Sequence, residues 1–345
     1  MKKTLLSLII LFLAGSPALA QDKPLRRAQD KPEYVVKLSA IAPDGTSWSA
    51  IGHQFADYIY EKSGGRMKVV WYLGSAMGDE SAAVRKIRLG QLQGGVFTVI
   101  GMAKIVPEIR VLMLPGLFKN YDEVDYIIDK TTPTFAKMFE EKGFKLFGWV
   151  EVGFAYVFST KPVHTLDDIG ETKVWNLAGD PFQQEVIELQ GYKNTVNLEL
   201  FDVLMGLQTG LVETFFAPYY ACLALQWYQY PKYVNTAPVA YSPGGVLVNK
   251  KFFDSLPPDL QNIYRDANKI YMPKLIPIIR KDHAKALEGF IKEGIKVIEP
   301  TPEIEEQNER MARKIREKLG DKYYPKWLLA EILNGLTKFR AGMAK

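Results

Sequence analysis

The chain has 345 residues, 47% hydrophobic and 24% charged, which excludes a disordered or fibrous protein. Its one cysteine, Cys222, cannot form an intrachain disulfide, and with only three histidines beside it a histidine/cysteine metal cage is not expected. No cofactor and no metal are expected.

Residues 1–20 stand apart. Lys2 and Lys3 precede the apolar run Leu5–Leu13, which is about half as long as a bilayer span. Ala18-Leu19-Ala20 then offers small residues to a signal peptidase, so a cut before Gln21 is expected. No cysteine follows the run, so no lipid anchor is expected, and the short lysine-led signal points to a bacterial periplasm. Removing Lys2 and Lys3 leaves 42 basic against 39 acidic residues, a net +3, too little to argue for nucleic acid. The mature length allows roughly two domains and a core large enough to hold without disulfides.

Residues 21–33 read as a flexible leader. Residues 34–40 (YVVKLSA) predict a strand, and Trp48, Ile51, Phe55 and Ile59 recur at helical spacing until Gly64-Gly65. Met67–Tyr72 predicts a strand, Asp79 caps the next helix, and Gly94–Ile100 is strand-like again. This alternation predicts a parallel sheet covered by helices. Residues 121–142 predict two short helices, and Lys145–Ser159 a long strand that continues beyond one domain. Short strands follow at Lys173–Asn176 and Leu211–Phe216, with helices at Asp180–Leu189, Leu198–Gln208 and Tyr219–Tyr228. Val239–Asn249 is strand-like. Residues 257–294 form a long helical segment in which Pro273 and Pro277 predict a kink or break. The tail from Pro302 carries two more helices.

Recognised catalytic motifs are missing: there is no GxGxxG after a strand, no Walker sequence and no GxSxG elbow. His53, His164 and His283 form no ligand-spaced pair, and Cys222 reads as a buried thiol.

Several segments together resemble the solute-binding proteins of TRAP transporters. These are Phe55-Ala56 with Ser63–Val69, then Gly78-Asp79-Glu80 with Val84–Ile87 and Gly90. Pro107-Glu108 before Leu114–Phe118, Leu207–Glu213, and Val248-Asn249 with Phe252 and Leu256–Gln261 complete the set. The resemblance runs over about residues 34–320. It implies a two-domain α/β periplasmic binding protein fold, with a hinge, a long domain-spanning helix and the ligand enclosed between domains. It also implies a monomer that delivers its ligand to membrane permease subunits driven by an ion gradient, and that is not an enzyme. Domain I is expected at 34–152 plus 242–283, and domain II at 153–241 plus 284–345. A receptor for a sensor kinase or chemoreceptor, and a secreted enzyme on a similar scaffold, are the competing readings.

The family usually holds carboxylates with an arginine in a "Lys-x-Arg-Val-Pro" strand. The matching stretch here is Lys173–Leu177, so Trp175 stands where that arginine would be. An arginine grips a carboxylate with a two-pronged charged fork, whereas a tryptophan offers one N–H and a broad apolar face. The resemblance therefore implies an aromatic-lined cleft for an organic acid of aromatic or apolar character. Expected ligand contacts are Trp175, Phe154, Tyr156, Thr98, Asn176, Phe215, Phe216, Tyr241 and Trp48, with strand alternation allowing one of Phe215 and Phe216 to face the pocket. An anionic group could be held by Lys104, Lys161 or the helix start at Gly179-Asp180-Pro181, although Asp180 opposes the last.

Overall fold

The computed structural model describes residues 31–342. The signal peptide read at 1–20, and the leader as far as residue 30, lie outside them.

The first strand, β1 (Tyr34–Ala40), alternates as its sequence suggests and buries Val36, Leu38 and Ala40. Helix α1 (Ser47–Lys62) starts where the Thr46 hydroxyl accepts from the Ser49 N–H, and it buries Ile51, Phe55 and Ile59. Strand β2 (Met67–Tyr72), helix α2 (Glu80–Arg88), strand β3 (Gly94–Thr98) and the short α3 (Val99–Ala103) follow, with Asp79 and Thr98 as caps. β2, β1 and β3 pair in parallel.

After a 3₁₀ turn at Pro107–Met113 comes α4 (Tyr121–Glu141). It is one helix, not the two expected. Pro133 deprives only the Asp129 carbonyl of its donor, and Asp129 sits on the exposed face, where water replaces the bond. Strand β4 (Phe144–Ser159) then runs the full depth of the molecule.

The second half is built from α5 (Leu166–Gly170), β5 (Val174–Leu177), α6 (Pro181–Gln190) and β6 (Thr195–Leu198). It continues with α7 (Val203–Gln208), β7 (Thr214–Pro218) and α8 (Tyr219–Ala224). β5 pairs in parallel with both β6 and β7. Strand β8 (Tyr233–Asn249) starts earlier than expected and returns through both halves, antiparallel to β3 and to β4. The chain ends with α9 (Lys250–Ser255), α10 (Pro258–Lys292), β9 (Lys296–Ile298), α11 (Pro302–Leu319) and α12 (Lys326–Arg340).

All nine strands belong to one sheet in the order β2-β1-β3-β8-β4-β7-β5-β6, with β9 on β8. The sheet is therefore mixed rather than parallel, because β4 and β8 cross as an antiparallel pair between two parallel triplets. α10 runs alongside both. It gives Leu260, Tyr264 and Leu275 to the core under β1 and β3, and Ala286 and Phe290 to the core under β7. Pro273 and Pro277 lie on its exposed face, and the helix continues through them instead of breaking. α12 packs on α4, with Gly335 against Ile127. Among the described residues no helix is long and apolar enough to cross a membrane.

Candidate functional site

A cavity of about 390 Å³ opens between the two parallel triplets. On the first side its wall is Ile41, Ser75, Glu80, Thr98, Ile100 and Lys104, from the ends of β1, β2 and β3 and the turns behind them. Val152 and Ala155 of β4 and Tyr241 of β8 form the floor. Trp175, Leu177, Phe182, Phe201, Phe216 and Trp227 form the far wall. The far wall is largely apolar and aromatic, with Asp180, Gln183, Gln190 and Glu199 as its polar members, a texture that suits a ligand with an apolar body.

The Trp175 side chain is buried, with one face on the cavity. Its indole N–H donates to the Leu198 carbonyl at 3.0 Å, and its ring meets Trp227 edge-on at 5.3 Å between centroids. The tryptophan therefore brings surface to the cavity but no free donor.

The other expected polar contacts on the lining are committed in the same way. The Thr98 hydroxyl donates to Glu80 Oε2 at 2.6 Å and accepts from the Ile100 N–H, so its single proton is used. The Tyr241 hydroxyl donates to buried Glu151 Oε2 at 2.8 Å, and Glu151 is in turn gripped by Arg280. Glu80 also accepts from the backbone N–H groups of Thr98 and Gly101. Burial nevertheless raises its carboxyl to about 7, against those three hydrogen bonds, which favour the charged form.

Five charged residues line the cavity: Asp79, Glu80, Lys104, Asp180 and Glu199. Asp180 is already spent: it caps α6 through Oδ1, and its Oδ2 receives the Arg110 guanidinium at 2.8 Å, both side chains being buried. Arg110 also lies over the Phe182 ring. Lys104 is thus the one cationic side chain on the lining, and among the described residues it makes no ion pair with a carboxylate.

Of the expected contacts, Trp175, Thr98, Phe216 and Tyr241 share this cavity, and Lys104 joins them. The others lie elsewhere. Phe154 sits buried between Tyr121 and Tyr241, and Tyr156 stacks on Tyr219 behind the floor. Register shifts in β4 between Glu151 and Gly153, and between Ala155 and Val157, change its phase, so Val152 and Ala155 face the cavity instead. Asn176 points to the opposite face from Trp175 and bonds Gln184 and Asn197. Phe215 stacks on Phe158 in the core, while Phe216 reaches the cavity and stacks on Tyr192. Trp48 packs against the core beneath α1. Lys161 pairs with Glu213 away from the lining.

Sequence reading passed over Ser75, Glu80 as a lining group, Phe182 and Trp227. Glu80 stood inside a quoted family segment, but nothing in spacing announces that Ser75 or Trp227 meets the others. Among the described residues no three His, Cys, Asp or Glu side chains group closely enough to hold a metal ion.

A family model for "bacterial extracellular solute-binding protein, family 7" matches residues 38–322. A "solute-binding protein" of Verminephrobacter eiseniae is 25% identical over 71% of this chain and 73% of its own length. The Escherichia coli 2,3-diketo-L-gulonate-binding periplasmic protein YiaO is 24% identical over 71% of this chain and 75% of its own. The sugar acid binding protein DctPAm of Advenella mimigardefordensis, solved with galactonate, superposes with a TM-score of 0.82 at 22% identity. It covers 89% of this chain and 99% of its own. With two α/β halves on one sheet, a long helix along both and a cavity between them, the chain belongs to the bacterial extracellular solute-binding proteins of family 7, the TRAP-type receptors its sequence resembles.

Proposed function

We propose that this receptor takes an organic monocarboxylate with an aromatic or otherwise apolar body and hands it to TRAP-type membrane permease subunits. In this reading residues 1–20 direct it to the periplasm, where it works as a monomer and turns over no substrate. The observation that carries the ligand class is the state of Trp175: its N–H is held by Leu198, so at the position where the sequence resemblance puts the family arginine it offers the cavity only an apolar face.

The consequence is energetic. Lys104 can neutralise one carboxylate, and a second carboxylate against the Trp175 wall would be buried without a partner, at a cost of several kcal/mol. An apolar body there gains instead about 2.5 kcal/mol per 100 Å² of its surface removed from water. YiaO and DctPAm are named for sugar acids, so the acid function is the feature this chain would share with them and the apolar body the feature it would change.

Closure would pivot on β4 and β8. Residues 34–152 and 242–283 would form one side and 153–241 with the chain after 284 the other, except that α12 would travel with α4. The buried Arg110–Asp180 pair would then join the two sides at the cavity edge. A ligand that touches both walls favours the closed form.

The test is isothermal titration with phenylacetate, succinate and galactonate. Phenylacetate is expected to bind at least about tenfold more tightly than either other acid. Tighter binding of succinate or galactonate would overturn the ligand class while leaving the receptor reading intact.

A further inference from the structure

The cavity is larger and longer than one ring with a short acid arm requires. A cavity of about 150 Å³ holds one benzene, and this one has about 390 Å³. Its length follows helix α6. Phe182, Gln183, Val186, Ile187 and Gln190 all line it, a spacing that returns to one face of the helix at every turn. From Phe182 to Gln190 the helix rises about 12 Å. The lining thus runs from the first turn of α6 to its last.

The two ends of that stretch differ. At the first turn Arg110, from the 3₁₀ turn of the first half, pairs with Asp180 and lies over the Phe182 ring. This end stands at the boundary between the halves, and Lys104 and Trp175 line the same cavity from the two sides. At the last turn the surroundings belong to the second half alone. Ile187 packs there with Val157, Val163, Ile169, Val174 and Tyr192, and Phe216 and Val239 lie against that small core only partly buried. Ile187, Phe216 and Val239 also line the cavity. The cavity therefore enters the second half between α6 and the sheet and reaches its core. The polar side chains of this stretch, Gln183 and Gln190, are both on α6, whereas the sheet contributes Ala155, Phe216, Ala217 and Val239. Water finds few partners on such a sheet surface, and an apolar body gains by covering it.

We infer that the apolar body of the ligand is extended, of the length of an octanoate chain, and lies lengthwise beneath α6. The carboxylate stays toward Lys104. The chain passes Phe182 and Trp175, and its far end meets Ile187, Phe216 and Val239. This inference rests on the receptor reading above and adds the length and direction of the ligand body.

The test is isothermal titration of the purified protein with butanoate, hexanoate and octanoate beside phenylacetate, succinate and galactonate. Each added methylene is expected to tighten binding about fourfold, with octanoate tighter than phenylacetate. Equal affinity for butanoate and octanoate, or phenylacetate tighter than octanoate, would overturn the extended body and leave the ligand class of the receptor standing. Succinate or galactonate tighter than every apolar acid would overturn the ligand class and this inference with it. Val186→Trp places a ring in the stretch beneath α6, and thermal unfolding without ligand checks that the variant folds. It is expected to lower octanoate affinity about tenfold more than butanoate affinity. Equal effects on the two acids would overturn the placement beneath α6. Val239→Phe obstructs the same stretch from the sheet and carries the same expectation if Val186→Trp does not fold.

Discussion

Acidification is expected to weaken the fold through one residue, His283. Its ring stacks on Tyr219 at 4.6 Å between centroids and lies 5.6 Å from Tyr156, and neither ring nitrogen has a hydrogen-bond partner. Nδ1 faces Gly153, whose φ of +105° belongs to the β4 bulge. A Cβ added there would come within 3.1 Å of both Nδ1 and Tyr121 Oη. Arg280, one turn back on the same helix, is turned to Glu151 and Asp125, and the adjacent Asp282 accepts from Ser47. No acceptor is hydrogen-bonded to either nitrogen to stabilise an imidazolium, and burial lowers the histidine from 6.5 to about 4. Because the folded value lies below the unfolded one, the unfolded chain takes up the proton first as pH falls. Stability is then lost between about pH 6.5 and pH 4 and is fully present above that window. At about 1.4 kcal/mol per pH unit, the loss attributable to His283 is about 2.5 kcal/mol by pH 4.5 and about 3 in full. Carboxylates titrate in the same range, so the measurement is a difference. Urea unfolding of the wild type and of His283→Phe, which keeps the stacking, is compared at pH 7 and pH 4.5. The variant is expected to lose about 2.5 kcal/mol less than the wild type. Equal losses in the two proteins would refute the reasoning.

The cavity supplies three further expectations. Lys104→Ala removes the lining's one cation and is expected to weaken phenylacetate binding by about 10- to 100-fold in a titration, the range for a charge-assisted hydrogen bond. Glu80, with its carboxyl raised to about 7 by burial, loses its charge as pH falls from 8 to 6. Phenylacetate, still ionised there, is expected to bind severalfold more tightly at pH 6 than at pH 8, with Glu80→Gln flattening that slope. Arg110→Ala leaves Asp180 buried without its partner and is expected to cost about 3–5 kcal/mol in denaturant unfolding, most of it recovered in Arg110→Met with Asp180→Asn.

Much of the fold was readable because local pattern and final burial agree. β1 alternates as a strand with one face in the core, and Thr46, Asp79 and Asp180 cap the helices their positions suggest. What was not readable depends on partners distant in sequence. The prolines of α4 and α10 look like helix breakers, but each lies on or beside an exposed face where water takes the orphaned carbonyl, and tertiary packing decides the rest. The antiparallel crossing of β4 and β8 joins residues about ninety apart, as in the Phe154–Tyr241 pairing, and no local periodicity encodes it.

The candidate site divides along the same line. Phe215 and Phe216 separated onto opposite faces because period-two alternation held through β7, and the same rule separated Trp175 from Asn176. It failed for Phe154 and Tyr156 because β4 is bulged just before Phe154 and again at Tyr156. Trp175 shows the limit of reading a ligand from one substitution. On the resemblance alone, a tryptophan in place of an arginine removes a charge, but an indole could still have offered its N–H to a polar ligand. Only the Leu198 carbonyl at 3.0 Å takes that option away and leaves an apolar surface. The Thr98 and Tyr241 hydroxyls and the Trp175 N–H are consumed by internal partners, and Lys104 remains as the cation of the lining, on the wall facing Trp175 and Phe182.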